Sequence, residues 1–527
     1  MTRLLGDLLR AQAERRPEAI AFVAGKQRLS FGELDRETNR MARLLREAGC
    51  GPGDRVAILG PKSIATVVGI LACAKRGCVY VPVDPESPAP RAAKILAQCR
   101  PRWLWTDPAA AQRVAELRKE LPDADFEVAS LAGTFEAPGV RCVASVDDAR
   151  SLSAEGIKCP RDSDDVAHLL FTSGSTGEPK GVMITHANVI AFVEWAVVHF
   201  GMSPDDRHSF HPPLHFDLST FDLYAALASG AELHFIPPGV GLLPGRLIDW
   251  VSDSRLTQWF SVPSVLNYVA ASDGLADRAL PDLQRVLCCG EVLPTPTLIH
   301  WMERLPHVRF TNLYGPTETT IASTYHDVQQ IPIAAREPIP IGTPCTGEEA
   351  VLLAEDGTAC PAGQIGQLHI GGVGLSPGYW EDPAKTAEAF IDDPRLPGSR
   401  LYRTGDLAKV DAQGVFHFVG RADSQVKIRG YRVELGEIEA ALQTLSELRE
   451  SAVVATPSGE FEGMTLCCAY SVLPGTEISD VWLRRTLARL LPSYMLPARW
   501  LGLEQLPKNA NGKIDRPTLK DWFTNGL

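Results

Sequence analysis

The 527-residue sequence contains no apolar run of the roughly 20 residues that a membrane-spanning helix needs, and its start lacks the continuous apolar core of a signal peptide. Leu4, Leu5, Leu8 and Leu9 instead recur at helical spacing between charges. A soluble chain in the cytoplasm, with no membrane partner, is the default expectation. An excess of positive charge is also missing. Against 64 Asp and Glu stand 52 Lys and Arg, a net charge of −12, which argues against a broad nucleic-acid-binding face and leaves anions to a local site. None of the twelve cysteines is paired as CxxC, and Cys288/Cys289 and Cys467/Cys468 are adjacent, so buried reduced thiols are expected rather than a disulfide or metal framework. His208, His211 and His215 lie close together but without an HExxH motif or paired carboxylates, which disfavours a metal site there.

The length requires more than one packed unit. Leu34, Met41, Leu44, Leu45 and Ala48 mark one face of a helix stopped by Gly49. Strand-like Arg55–Leu59, a helix over Ser63–Arg76, strand-like Val79–Val83, a helix near Ala89–Gln98 and strand-like Trp103–Thr106 continue an α/β alternation. Residues 107–160 are weakly patterned, and surface structure is expected there. Beyond Leu401 short β-like pieces with Gly turns take over. A helix over Gly436–Leu445, strands Ala452–Ala455 and Leu466–Val472, and a helix over Asp480–Leu490 follow.

The buried-strand pattern Val166–Phe171 feeds Thr172-Ser173-Gly174-Ser175-Thr176-Gly177-Glu178-Pro179-Lys180-Gly181. Glycines let backbone N–H groups approach an anion, hydroxyls add donors and Lys180 offsets charge, so a polyphosphate is the natural guest. No Gly-Lys-Ser/Thr closes the loop, which disfavours a P-loop nucleotide hydrolase. By composition alone the stretch also reads as an ordinary flexible loop.

The ten-residue string resembles the phosphate loop of the adenylate-forming superfamily, which includes nonribosomal peptide synthetase adenylation domains, acyl-CoA synthetases and luciferases. The resemblance recurs in order at Leu29–Leu34, Tyr80–Asp84, Phe216–Ser219, Asn312–Thr320, Tyr402–Leu407, Gly420–Gly430 and Asn511–Asp515. It is nearest to the amino-acid-activating branch, as a stand-alone amino acid:carrier-protein ligase. The fold it implies is α/β, with a large N-terminal domain of mostly parallel sheets flanked by helices plus a β-rich subdomain, residues 1–422. A small mobile α+β C-terminal domain, residues 423–527, would follow.

The resemblance also implies roles. Lys513 is similar to the catalytic lysine that bridges substrate carboxylate and nucleotide, and Glu318 to the magnesium-associated glutamate, with Thr317 and Lys180 on phosphate. Thr172, Ser173, Gly174, Ser175, Thr176 and Gly177 would cradle phosphates. Asn312 and Tyr314 would meet adenine, Asp406 the ribose hydroxyls and Arg421 the sugar and phosphate. Asp423 matches the hinge, and Val426–Gly430 would border a phosphopantetheine arm. Each has a plainer reading: a solvated lysine, a carboxylate at a helix start, a buried structural tyrosine, a simple turn.

Asp217 matches the carboxylate that pairs a substrate ammonium, the alternative being a helix-capping role. His215 sits where the family often has a gate. Leu218, Phe221, Ser261, Leu287, Cys289, Leu313, Ile321 and Ala322 would complete the pocket without a second charge, which disfavours charged substrate side chains. Alanine, serine, glycine, cysteine or 2-aminobutyrate are the expected substrates, with proline and valine also open. The chain ends at Leu527 without a Leu-Gly-Gly-x-Ser motif, so the thiol acceptor is expected on a separate carrier protein. ATP, Mg2+ and carrier-borne phosphopantetheine are therefore the implied cofactors and acceptor. Oligomeric state is open, with a monomer as the default. An acyl- or aryl-CoA ligase and a catalytically silent nucleotide-binding relative are the alternatives.

Overall fold

The computed structural model describes residues 4–526, except 160, 175–176, 277, 336, 459–461 and 510–512. Two largely parallel sheets form the bulk of the first 344 residues. One runs in the order Cys142–Ser145, Glu127–Ser130, Trp103–Thr106, Arg55–Leu59, Val79–Pro82, Val166–Thr172 and Lys180–Thr185, parallel until the last pair. The other has nine strands, with parallel Glu232–Phe235, Arg207–Phe210, Gln258–Ser261, Arg285–Cys288 and Arg309–Tyr314 in its middle. One continuous apolar core joins both sheets: it includes Val56 and Trp105 from the first and Phe22 and Phe210 from the second.

Local sequence explains most element bounds. The helix expected from Leu34 begins earlier, at Phe31, because Ser30 and Glu33 form a reciprocal capping box that satisfies two otherwise orphaned backbone N–H groups. The region 107–160 differs more from expectation. Helix Ala111–Glu120 turns Val114 and Leu117 inward, and Glu127–Ser130 and Cys142–Ser145 extend the first sheet in parallel register. Four-residue strands are too short to carry a readable alternation, so their place is decided by the sheet edge they join. All twelve cysteines are free and most are buried.

An antiparallel sheet follows, built from Glu348–Leu353, Ile365–Gly372, Phe390–Asp392, Arg400–Val410 and Phe416–Arg421. Then comes the hairpin Gln425–Ile428/Tyr431–Glu434. Last is a three-stranded sheet of Leu448–Ser458, Glu462–Val472 and Arg499–Gly502 with helices Leu435–Gln443, Asp480–Leu487 and Arg516–Asn525. Residues from Ile428 to Met495 share a core of their own.

Helix Ile64–Arg76 lies so close to the first sheet that a Cβ on Gly69 would stand 2.7 Å from the Trp105 ring. Overpacking of this kind costs about 1–3 kcal/mol. Gly69→Ala should therefore lower the melting temperature, whereas Gly156→Ala, which meets open space, should leave it unchanged.

Candidate active site

Parallel sheets place ligands beyond the carboxyl ends of their strands. Here strand Val166–Thr172 of one sheet and strands Arg285–Cys288 and Arg309–Tyr314 of the other end around a common cavity of about 100 Å³, lined among others by Thr172, Ser173, Asp217, Cys289, Thr317 and Asp406. Asp217 opens helix Asp217–Ser229 with Phe216, not itself, at the capping position. The loop before it is pinned by Lys62, whose ammonium donates to the carbonyls of Phe210, His211 and Pro212 at 2.6, 2.7 and 3.0 Å. Burial pushes Lys62 down to about 7. Burial also pushes the Asp217 carboxyl up to about 6, against the pull of the Thr317 hydroxyl, the backbone and Lys427.

The residues expected to meet a nucleotide cluster beside this cavity. Tyr314 and Arg421 both hydrogen-bond Asp406, and Arg421 clasps Asp423 through two further hydrogen bonds of 2.7 and 2.6 Å. Asn312 donates to the Pro340 carbonyl at 2.8 Å, while its Oδ1 is buried without a partner among the described residues. Asn312, Tyr314, Asp406, Arg421 and Asp423 border a second cavity of about 750 Å³, lined also by Met464, Arg516 and Lys520. The Thr172 hydroxyl is likewise buried and unpartnered in the first cavity.

Glu318 sits fully buried in a short 3-10 turn, Thr317–Thr319. Both its oxygens accept from Arg432 at 2.8 Å, and Tyr379 donates to one of them at 2.8 Å. Burial alone would raise its pKa. Arg432 first, then Lys180 and the Tyr379 hydroxyl, hold it down at about 2. Ser173 donates to the Arg432 carbonyl at 2.7 Å. Tyr431 stacks on Tyr494 with ring centroids 3.6 Å apart and meets Phe216 edge-on. A buried ion pair between Arg91 and Glu437 ties down the following helix. The hairpin of residues 425–434 therefore fills one side of the cavity.

Of the expected residues, Thr172, Ser173, His215, Asp217, Leu218 and Cys289 meet in the first cavity, joined by Thr317, Asp406 and Arg421. Ser175 and Thr176 lie outside the described residues. Gly177 adopts a left-handed φ of +80°, which suits glycine. Phe221, Ser261, Leu287, Ile321 and Ala322 are buried but do not line the cavity, and Leu313 borders the second one instead. Apart from Ser261 they share the main apolar core with Leu218 and Cys289. Lys180 is half-buried, 5.0 Å from the Tyr379 ring centroid, and faces a third cavity of about 210 Å³. Lys513 is exposed, its backbone N–H bonded to Asn509 Oδ1 at 3.1 Å, and it borders none of these cavities. From the Val426–Gly430 stretch, Lys427 and Gly430 line the first cavity, Lys427 near Asp217 and 5.8 Å from the Tyr314 ring centroid. Residues not singled out from sequence are Arg432, Tyr431, Tyr379 and Arg91; the available signal for Arg432 was the cluster of basic residues Lys427, Arg429 and Arg432 around the Gly430 turn.

A family model described as "AMP-binding enzyme" matches residues 9–380, and one described as "AMP-binding enzyme C-terminal domain" matches residues 437–513. The L-proline--[L-prolyl-carrier protein] ligase of Streptomyces coelicolor is 37% identical over 523 residues, covering 96% of this chain and 93% of that protein. Tyrocidine synthase 3 of Brevibacillus parabrevis is 34% identical over 519 residues, 98% of this chain; the chain spans only 8% of that relative's length. The solved structure of NpsA-ThdA, an artificially fused Adenylation-PCP di-domain NRPS from Klebsiella oxytoca, shares the fold with a TM-score of 0.81 at 25% identity, covering 95% of this chain and 94% of that one. Matched over most of its length by that model and nearly end to end by a carrier-protein ligase, the chain belongs to the AMP-binding enzyme family.

Proposed function

We propose that this chain converts a small uncharged amino acid and ATP into an aminoacyl adenylate, then passes the aminoacyl group to the phosphopantetheine thiol of a separate carrier protein. The observation that carries the reading is Asp217, a buried carboxylate sharing one cavity with Thr172, Ser173, Thr317 and Asp406. A carboxylate there has a use if the substrate bears an ammonium group, and none for a plain fatty acid. The similarity to a carrier-protein ligase supports the acceptor.

In the first step a carboxylate oxygen of the amino acid attacks the α-phosphorus; the new O–P bond forms as pyrophosphate leaves. In the second, a thiolate attacks the adenylate carbonyl, the C–S bond forms and AMP leaves. Two anions meet in the first step, so oriented cations and donors are the main requirement. The phosphate loop, Thr317 and Lys180 supply them on the large-domain side. Asp406 offers its oxygens to the ribose hydroxyls, and the free Oδ1 of Asn312 accepts from the base edge. Glu318 is a hard oxygen donor that needs a facing cation, and no group of three or more metal-capable side chains occurs among the described residues. A magnesium ion would therefore be held by Glu318 together with triphosphate oxygens, and when bound it would offset charge on the transferring phosphate. Arg432 takes both Glu318 oxygens here, so the hairpin of residues 425–434 must withdraw before that site is free. Rotation of residues 423–527 about Asp423 would withdraw it and bring Lys513 inward for adenylation. The docked hairpin suits transfer.

Leu218 and Cys289 are themselves uncharged and the cavity is small; the charges acting on Cys289 are Asp217, which would pair the ammonium, and Lys427 on the hairpin. Alanine, serine, glycine, cysteine and 2-aminobutyrate fit that chemistry. Proline joins the head of the panel because the 37% identical relative is a proline ligase. A pyrophosphate-exchange assay across amino acids and their deaminated analogues tests the reading. Propionate supporting exchange as well as alanine would favour a CoA-ligase type of enzyme.

Lys513→Ala should slow adenylation by at least about 10²–10³-fold, the usual loss for one oriented donor, while largely sparing transfer from preformed adenylate. Single-turnover rates of the two half-reactions check this, and an equal loss in both contradicts it. Because the free Asp217 carboxyl holds a proton below about pH 6, it cannot pair an ammonium there. The kcat/KM for the amino acid should fall as pH drops through about 6, with ATP binding unaffected, and Asp217→Asn should weaken amino-acid use at every pH.

A further inference from the structure

Thr320 and Ile321, two successive β-branched residues, adopt left-handed φ values of +58° and +70°. Such backbone costs of order 1–3 kcal/mol per residue and persists only where its surroundings hold it. The turn packs behind two residues that line the first cavity. A Cβ on Gly315 would stand 2.6 Å from the Cα of Ala322, and the Cys289 thiol donates to the Ile321 carbonyl at 3.7 Å.

What holds the turn reaches it from the antiparallel sheet. The Thr320 hydroxyl donates to the Gly374 carbonyl at 2.7 Å. The Gly374 N–H donates to Glu348 Oε1 at 2.7 Å, and no side chain fits at Gly374, where a Cβ would meet Glu348 Oε1 at 2.5 Å and the Thr319 carbonyl at 2.6 Å. The other Glu348 oxygen is buried without a partner among the described residues. A carboxyl group at the start of strand Glu348–Leu353, engaged by a single backbone N–H and bordering none of the three cavities, has no evident task except to hold Gly374 in place.

We propose that Glu348 is a positioning residue for substrate choice: through Gly374 and Thr320 it fixes the turn behind Cys289 and Gly315, and so sets how large an amino-acid side chain the cavity admits. This rests on the amino-acid-activation reading. Burial pushes the Glu348 carboxyl up to about 8, so it sits largely protonated at neutral pH and a neutral amide is a fair substitute.

The test measures pyrophosphate exchange with the best amino acid and its homologue one methylene larger, alongside ATP affinity by calorimetry and the melting temperature. One methylene is ordinarily discriminated about 10–200-fold, and in Glu348→Ala and Thr320→Val that ratio should fall at least about fivefold, through the amino-acid KM rather than kcat. ATP affinity should be unchanged, and Glu348→Gln should keep the wild-type ratio. The proposal is overturned if Glu348→Ala melts lower yet keeps the ratio, or if Glu348→Gln loses it as fully as the alanine variant. Should Glu348→Ala fail to fold, Thr320→Val decides, and an unchanged ratio there overturns the proposal. A wild-type protein that activates no amino acid overturns the parent reading and this one with it; an active wild type with unaltered variants overturns this one alone.

Discussion

The buried pair between Glu318 and Arg432 is the constraint around which the site is arranged. A carboxylate with no solvent exposure must face a cation, and here the cation arrives on the hairpin that follows Asp423. Coulombic gain in a buried pair is largely offset by the desolvation of both ions, so such a pair binds its two elements together without great net stability. That balance suits a contact meant to be exchanged. Ser173 bonds the Arg432 carbonyl, Tyr431 meets Phe216 edge-on and the Arg91–Glu437 pair holds the following helix, so the hairpin docks through several contacts rather than one side chain.

The two large sheets supply the frame that makes such docking meaningful. Strands of both end around one cavity, and each sheet delivers a short segment to it: Thr172–Ser173 from one, Cys289–Gly290 and Gly315–Thr317 from the other. One apolar core spans both sheets, so these loops are set on a rigid base. Rigid placement matters because a charged transition state is stabilised by donors already in position, not by donors that must reorganise.

Glu348 shows how far from the cavity that rigidity extends. A strained turn is tolerated behind the pocket because Gly374 can approach it more closely than any residue with a side chain. The antiparallel sheet, which contributes Asp406 directly to the cavity, also reaches the turn through Glu348 on its edge strand and Gly374 just past strand Ile365–Gly372.

Local order was legible in the chain. Arg55–Leu59 and Trp103–Thr106 are strands at the bounds their apolar runs imply, and the apolar run Val166–Phe171 lies within strand Val166–Thr172. The residues that meet at the cavity were mostly identifiable too, because Asp217, Thr317 and Asp406 each sit in a compact motif. Residues 107–160 were not legible, since the short strands Glu127–Ser130 and Cys142–Ser145 lack the wholly buried apolar run of Trp103–Thr106, and neither was the fact that Phe221, Leu287, Ile321 and Ala322 fill core and do not line the cavity. Motifs name which side chains belong to a site. Only the tertiary arrangement decides which of them share it at one time: Lys513 stands in solvent while Arg432 and Lys427 take the cavity, because the orientation of the last hundred residues depends on contacts between distant segments and on no local pattern.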